Sequence, residues 1–592
     1  MTGPNARHRN HYVRQLWPTA QTQSPDGTVT TYTYSPPTKT ATLNGRWQTT
    51  TLDGFGRTIR VQKGHGSTTV STVDTQYAPC GCSPLMKISA VSMPYTGTAS
   101  AWTTYTYDAS GRTISVTKPD GASTTTYVYQ GNSTTVTDPA GKWKTSTVDA
   151  YGNLIQVTEP NPAGGTYTTN YTYTVANQLT GVSMTRGSVT QTRSFTYNGS
   201  DMVSATNPEN GTVSYAYDNS HHVTTRTDAL GQQTVYSYDS YGRISQVQYY
   251  PAGFGGNEDT VQRVSYYYDN NLPGVYTYAP PFTGGLNGMG LLTGVSFEGG
   301  IRDDTSDAHY YAYAYQYNAN GRVTGQNMTV MAATGVFNNL LPAYPPIANF
   351  TATYQWDNEG RMTSIQGPTV AMAPGANGMN PVTLPTGAYQ YDMDGRMTGM
   401  TWDTGNGSGP QPYASATYGL AGQLTSLSYG AGTETRTYNS LLQLTSQSMP
   451  GYMNMTYTYS ATQNNGRITG SVDSVTGEST TYSYDALNRL SGASNGLWSA
   501  SYGYDGFGNL TSKSGSGGAT AMTATYDANN RQVGVSYDAN GNLGTANNAR
   551  NGYSVENRLN TQTSMAWPQA FDDIRIRSEW ETGAEAARSG PE

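Results

Sequence analysis

Along most of this chain apolar and polar positions alternate with a period of two. Tyr105/Tyr107, Tyr215/Tyr217, Tyr457/Tyr459 and Tyr482/Tyr484 put aromatic rings at i and i+2, with Thr, Ser or Ala between them. Such alternation predicts β-strands whose tyrosines share one face and whose small or hydroxyl side chains share the other. Many such aromatic pairs run into the same short signal, an acidic residue followed three positions later by glycine and then by Arg or Asn. Tyr107-Asp108 leads to Gly111-Arg112, Tyr238-Asp239 to Gly242-Arg243, Tyr391-Asp392 to Gly395-Arg396, and Tyr504-Asp505 to Gly508-Asn509. In Tyr484-Asp485 the glycine is replaced by Asn488, ahead of Arg489. Partial copies stand at Asp53–Arg57, Asp149–Asn153, Asn318–Arg322 and Asp357–Arg361. The chemistry is that of a hairpin. Asp accepts hydrogen bonds from N–H groups of the turn, and Gly supplies the positive φ that closes a type I turn with a bulge. Asn is the next best residue for that conformation.

The signal recurs. Tyr197 and Tyr217 are 20 residues apart, Tyr217 and Tyr238 are 21, and Tyr438 and Tyr459 are 21. A second turn signature lies between the first ones, at Lys118–Gly121, Asp138–Gly141, Asn207–Gly211 and Asp228–Gly231. A unit is therefore strand, turn, strand, turn. Residues 24–560 hold roughly 20–25 hairpins, or about 45 strands, at that period. An open twisted sheet of more than about 10 strands does not stay flat. The expected fold is thus all-β, a tandem-hairpin array forming one long coiled sheet. Its wall is expected to be a single layer over much of its area, with tyrosine ladders making the cross-strand contacts. Residues 1–23 read as an irregular leader and 561–592 as a charge-rich tail without the repeat, either a broken array end or a functional tail. The period is interrupted at 251–260, 272–304, 331–350 and 367–387, stretches rich in Gly, Pro and Asn that read as loops leaving the wall.

Composition sharpens this. Only 12% of the 592 residues are charged, while Tyr alone numbers 49. Disordered chains combine high net charge with few aromatics, so the chain is expected to fold. Aliphatic residues are too few for a thick helical or parallel-sheet core. Net charge is −7 with Lys and Arg thinly scattered, so no basic stripe for nucleic acid forms. No apolar run reaches the roughly 18 residues of a membrane span, and no secretory signal follows Met1.

The search for chemistry returns turns. Cys80-Gly81-Cys82 has no second ligand cluster for zinc and reads first as a Pro/Gly-bounded turn, with a redox pair as the remaining alternative. His8, His11, His65, His221, His222 and His309 are scattered, and His221-His222 stands where Gly-Arg is expected, as in a degenerate turn. Asp392 and Asp394 could suggest paired catalytic carboxylates or the start of a calcium loop. Both lie within one turn, and the closing ligands of a calcium loop are missing. Asp303/Asp304 is a second, weaker carboxylate pair. The tyrosine ladders could stack on sugar rings, although their two-residue period is what wall packing requires. No catalytic, cofactor-binding or metal-ligating set emerges.

Tyr-Asp-x-x-Gly-Arg units with a Pro/Asp-Gly half-repeat between them resemble the Rhs or YD-repeat family over residues 24–560. The resemblance implies a β-hairpin ribbon spiralling into a hollow shell, as in bacterial Rhs polymorphic toxins, the shells of insecticidal toxin complexes and animal teneurins. Toxin-bearing members enclose a variable C-terminal domain released by aspartyl self-cleavage. In this chain the Asp-Pro-x-Gly motif, Asp138–Gly141, lies in mid-array and is followed by Lys142-Trp143, and nothing after Asn560 matches the terminal core. The resemblance therefore implies a non-catalytic shell segment without its cargo, used in intercellular competition or toxin delivery. The expected partner is a C-terminal toxin or other cargo polypeptide, and secretion or surface display is favoured. The alternative is a cell-surface adhesion module whose Leu272–Asp304 loop contacts glycan or protein.

Overall fold

The computed structural model describes residues 20–564 apart from 253–254, 278–280, 283–284, 300–308, 333–347, 373–381, 384, 406, 431, 519 and 545–548. The alternating stretches form strands, and nearly every strand pairs antiparallel with its neighbours in the chain. Trp102–Tyr107, for example, pairs with Ser83–Ser92 on one side and Thr113–Thr117 on the other. Among the described residues the result is one sheet of 41 strands, followed by a separate hairpin, Ala549–Tyr553 with Leu559–Ser564. No helix among the described residues is long and apolar enough to cross a membrane.

The alternation sorts the two faces. Thr124–Gln130 and Met453–Tyr459 alternate half-buried and exposed positions, with tyrosines in the half-buried set. Small hydroxyl side chains pair across strands, Thr135 with Thr145 at 2.7 Å, Thr206 with Thr212 at 2.8 Å and Ser501 with Ser514 at 2.8 Å. Cross-strand pairs of this kind stabilise a sheet without a thick core. Among the described residues, buried apolar side chains gather in two small clusters, one on Val247, Tyr249 and Val555, the other on Tyr276, Ala312 and Ala314.

A local irregularity accompanies the coiling. Just beyond each Tyr-Asp turn the returning strand carries one unpaired residue. Thr106 faces Ser115 and Tyr107 faces Thr113, leaving Ile114 over; Ser483 faces Gly492 and Tyr484 faces Leu490, leaving Ser491 over. A bulge raises the right-handed twist at its position. Repeated at the same place in successive hairpins, it bends the ribbon in one sense.

Several expected boundaries move. Gln21–Gln23 is already a strand, pairing with Val29–Ser35, so the ordered array starts inside the expected leader. The final hairpin carries pairing to Ser564, past the expected end at 560, while 565–592 lie outside the described residues. The insertions contribute more wall than expected. Leu292–Gly299, within 272–304, is a full strand between Val264–Tyr268 and His309–Tyr317. Val323–Ala332 and Ala348–Trp356 extend into 331–350 and pair through Val330 and Ala348. Met362–Met372, Val382–Thr383 and Thr386–Tyr391 do the same within 367–387. Between 255 and 259 the chain is irregular, as the Gly-rich sequence suggests, and ends in a 3-10 turn at Thr260–Gln262.

The described part of the 272–304 segment does not leave the wall but lies on it. Leu272, Val275 and Phe282 pack around Tyr276, whose hydroxyl donates to the Ala312 carbonyl at 2.7 Å. A Cβ on Gly325 would stand 2.6 Å from the Phe282 ring, so glycine permits this contact. The sequence signal was misleading because Gly and Pro mark irregular backbone, whereas the apolar residues among them decide where it settles.

Candidate functional site

The turn unit is the smallest working part. In Asp108–Arg112 the Gly111 N–H donates to the Asp108 carbonyl and the Asp108 N–H to the Arg112 carbonyl, both at 3.0 Å. The Asp108 carboxylate accepts from the Ser110 and Arg112 N–H groups at 2.9 Å. The glycine position has φ of +81° in Gly111, +76° in Gly242, +81° in Gly395 and +97° in Gly508, and Asn488 holds it at +63°. Asp239, Asp392, Asp485 and Asp505 accept from the N–H of Arg243, Arg396, Arg489 and Asn509 at 2.9–3.0 Å. His221 adopts φ +65° in the glycine place, and the His222 imidazole lies 3.0 Å from Asp218 and stacks on Tyr238. That pair is a turn, with His222 standing in for arginine.

Sequence reasoning treated Arg as the first residue of the return strand. In the structure it is a clamp between repeats. Arg112, Arg243, Arg396 and Arg489 each donate Nε–H to their own Asp at 2.6–2.7 Å. The same guanidinium lies over an aromatic ring of the next repeat: Arg112 over Tyr129 at 4.3 Å, Arg243 over Tyr268 at 4.3 Å, Arg396 over Tyr418 at 5.0 Å and Arg489 over Tyr504 at 4.6 Å. Where Asn replaces Arg, its amide reaches the following turn instead, Asn153 to Asn177 and Asn509 to Asn530 at 2.9 Å.

Tyrosine closes the link in the opposite direction. The hydroxyls of Tyr238, Tyr391, Tyr484 and Tyr504 donate to the carbonyls of Val223, Met362, Ile468 and Leu490 at 2.7, 2.6, 2.8 and 2.9 Å. Each acceptor is the residue just after the Arg, or its substitute, of the preceding repeat. Tyr107 donates to Ile88 at 2.7 Å, although the preceding turn there is Cys80–Cys82. Those cysteines form a disulfide within the tip joining Thr68–Cys80 to Ser83–Ser92, so turn and pair coincide. Among the described residues no group of three or more His, Cys, Asp or Glu is placed to hold a metal ion. Tyr504→Phe is expected to cost about 1 kcal/mol, one net hydrogen bond, while keeping the ring under Arg489. Hydrogen exchange across Leu490–Tyr504 should quicken while distant hairpins stay unchanged.

Carboxylate titration follows from the turn geometry. The Arg57 side chain holds Asp53 below the usual value of 3.8, and the Asn153 side chain does so for Asp149. Backbone N–H groups of Arg112 and His222 lower Asp108 and Asp218. Groups lowered on folding contribute stability above 3.8 and lose it as pH falls through their folded values. The thermal midpoint is therefore expected to hold at about pH 5 and to drop steadily as pH falls to about 2.5. A flat midpoint over that window would show that the turn carboxylates do not stabilise the array.

The second element of the site is formed only by coiling. The ribbon has two rims, one of Tyr-Asp turns and one of half-repeat turns. Among the described residues, hydrogen bonds join residues 294 to 350 positions apart, chiefly from half-repeat turns of the first circuit to Tyr-Asp turns of the second. Asn320 accepts from the Asp26 N–H at 3.2 Å. Arg46 pairs with Glu359 at 2.6 Å, beside a cleft of about 300 Å³ lined also by His65, Arg361 and Tyr391. Asn465 donates to Asp138 at 2.8 Å, and Arg186 to the Gly506 carbonyl at 3.1 Å. Asn530 donates to Glu209 at 2.7 Å, Arg531 to the Glu209 carbonyl at 3.0 Å, and Asn540 to Asp228 at 2.7 Å. Val555 packs on Val247 and Tyr249, whose hydroxyl meets Glu556 at 2.6 Å. Arg193, with two bonds of 2.6 and 2.7 Å, holds the Glu209 carboxyl down to about 2, so this acceptor stays charged through most of the acid range. The seam runs chiefly from carboxylates on the first circuit to amides on the second. No sequence signal marks these partners, because Asn530 and Asn540 look like any other turn residue.

A single ribbon whose repeats clamp one another and whose rims meet after one circuit is a coiled, shell-like β wall. Residues 107–142, 217–254 and 464–497 match the family model RHS Repeat. A crystal structure of TcdB2-TccC3 has the same fold, with TM-score 0.67 and 16% identity, over 90% of this chain and 30% of that one. TcdB2-TccC3 without its hypervariable C-terminal region gives 0.68 and 15%, over 90% and 29%. The chain thus spans about three-tenths of the length of those structures. No curated protein matches the sequence. Three segments of the chain are thus RHS repeats by this match, within a wall whose fold is that of the TcdB2-TccC3 structures.

Proposed function

We propose that this chain is a non-catalytic wall segment that encloses or presents a polypeptide cargo for toxin delivery or competition between cells. The observation carrying this reading is the seam. A ribbon that only displayed loops has no use for rim-to-rim contacts 294 to 350 residues apart, whereas a wall must be closed between its circuits. The turn carboxylates support the non-catalytic part, since Asp108, Asp239 and Asp485 are each engaged by backbone N–H groups and a guanidinium. A variable polypeptide is the cargo class suggested by TcdB2-TccC3, whose hypervariable C-terminal region is separable.

The test is protection. A protease-sensitive reporter fused after Glu592 of the full chain is expected to survive digestion far longer than the free reporter. Opening the seam should remove that protection. Cleavage at the free rate in the intact protein would end the proposal.

A further inference from the structure

One turn of the array is built differently from its neighbours. In Asp53–Arg57 and Asp108–Arg112 a carboxylate closes the tip by accepting from backbone N–H groups. Between them, at the tip joining Thr68–Cys80 to Ser83–Ser92, the Cys80–Cys82 disulfide stands in that place. The links between repeats are kept. Arg57 lies over the Tyr77 ring at 4.0 Å, and Lys87 lies over the Tyr107 ring at 5.2 Å in the role arginine has elsewhere. Only the closure of the turn is exchanged, a carboxylate for a bond that a thiol can open. We propose that Cys80–Cys82 is a thiol–disulfide exchange site whose co-substrate is a low-molecular-weight thiol. The proposal rests on this tip and is independent of the cargo reading.

Stability is a weak reason for the bond. Cys80 already pairs with Ser83 across the tip, and the two cysteines are only two residues apart. A crosslink removes more chain entropy the longer the loop it closes, so this one removes little. The surroundings fit exchange instead. Gly81 at the tip is exposed and both cysteines are half-buried. The Lys87 ammonium donates to the Gly111 carbonyl at 2.9 Å. A Cβ on Gly111 would stand 3.4 Å from both Lys87 Nζ and Cys82 Cβ, so ammonium and cysteine flank one point. A neighbouring ammonium favours a thiolate, and a more acidic thiol leaves a disulfide faster.

Exchange runs in two steps. The thiolate of the small thiol attacks Cys80 Sγ and forms a mixed disulfide. The Cys80–Cys82 bond breaks, and its electron pair goes to Cys82 Sγ beside Lys87. A second small thiolate then attacks the small-thiol sulfur of the mixed disulfide, releasing the small disulfide and the Cys80 thiolate. The two protons given up by the small thiols end on Cys80 and Cys82. Two thiols are oxidised and the protein pair is reduced.

The chain has two cysteines, so every product is read at this tip. The oxidised full chain is incubated with reduced glutathione at neutral pH, quenched with N-ethylmaleimide and followed by mass spectrometry. The glutathione adduct is expected on Cys80, followed by the dithiol, with the melting profile of the array unchanged. Lys87→Gln should slow exchange several-fold. With Cys80→Ser it should also move the pH profile of Cys82 alkylation upward. Lys87→Arg keeps the charge and should restore both readings. The wild-type measurement stands whatever the variants do to folding. A bond reduced only once the array unfolds, an adduct on Cys82 instead of Cys80, or a folded Lys87→Gln chain that exchanges at the wild-type rate would overturn the proposal.

Discussion

Gly541→Ala is expected to part the two circuits of the ribbon over the span from Glu209 to Asp228. Gly541 has φ +82°, and a Cβ there would stand 2.1 Å from the Glu209 carbonyl oxygen, well inside contact distance. That carbonyl also accepts from Arg531, so it cannot withdraw without breaking a second seam contact. The backbone cost of placing Ala at positive φ is about 1–2 kcal/mol. Gly508→Ala carries that same cost at φ +97° with nothing within 4 Å of its Cβ, and so isolates the backbone contribution. Hydrogen exchange should quicken on both sides of the seam, around Thr206–Gln232 and Asp527–Asn557, in Gly541→Ala. In Gly508→Ala it should quicken only in the local hairpin. Equal, purely local effects of the two substitutions would show that the circuits do not approach so closely.

Asp228→Ala is the second large effect. Asp228 is 5% exposed and takes four hydrogen bonds, from the Leu230 and Gln232 N–H groups, the Gln232 side-chain amide and Asn540. Removing the carboxylate strands the Gln232 side-chain amide and one of the two Asn540 amide donors, the other staying on Asn557, in residues 6% and 7% exposed. Each buried unpaired donor costs about 1–3 kcal/mol, so the total is expected near 3–5 kcal/mol. Asp228→Asn should not rescue it, because its own NH₂ would face those of Gln232 and Asn540 or lose the backbone donors. Asp108→Ala, in a solvent-facing turn of the first circuit's Tyr-Asp rim, is expected to lower the midpoint far less. A long array need not unfold in one step. The comparison is therefore read from residue-level exchange at Ser536–Asn557 as well as from the denaturation midpoint. Equal losses in the two variants would rule out a seam role for Asp228.

The hairpins were legible because their determinants lie within five residues. Asp accepting from N–H groups two and four positions on, and glycine at positive φ, are local facts that a spacing can carry. Asn488 and His221 take positive φ in the glycine place, +63° and +65°, for the same local reason. Arg was under-read because its second contact, the aromatic ring of the next repeat, lies up to about 30 residues away in sequence across neighbouring strands. Cys80 and Cys82 were read first as a turn, and the disulfide adds pairing to it. The 272–304 segment was misplaced because its irregular backbone masked Leu272, Val275, Tyr276 and Phe282, which bind it to the wall.

The amino-acid order alone determined the repeating unit, its antiparallel pairing and the need for the ribbon to coil. Tyrosine alternation sets strand faces, and Asp with Gly sets turns, whatever surrounds them. Tertiary structure decided which turns meet one circuit later. That register is the sum of small twists and bulges over roughly 300 residues, with insertions shifting it along the way. No single unit encodes such a sum, and a slip of one hairpin would pair Asp228 with a different turn. The seam is therefore a property of the whole coil, while its carboxylates and amides look locally like ordinary turn residues.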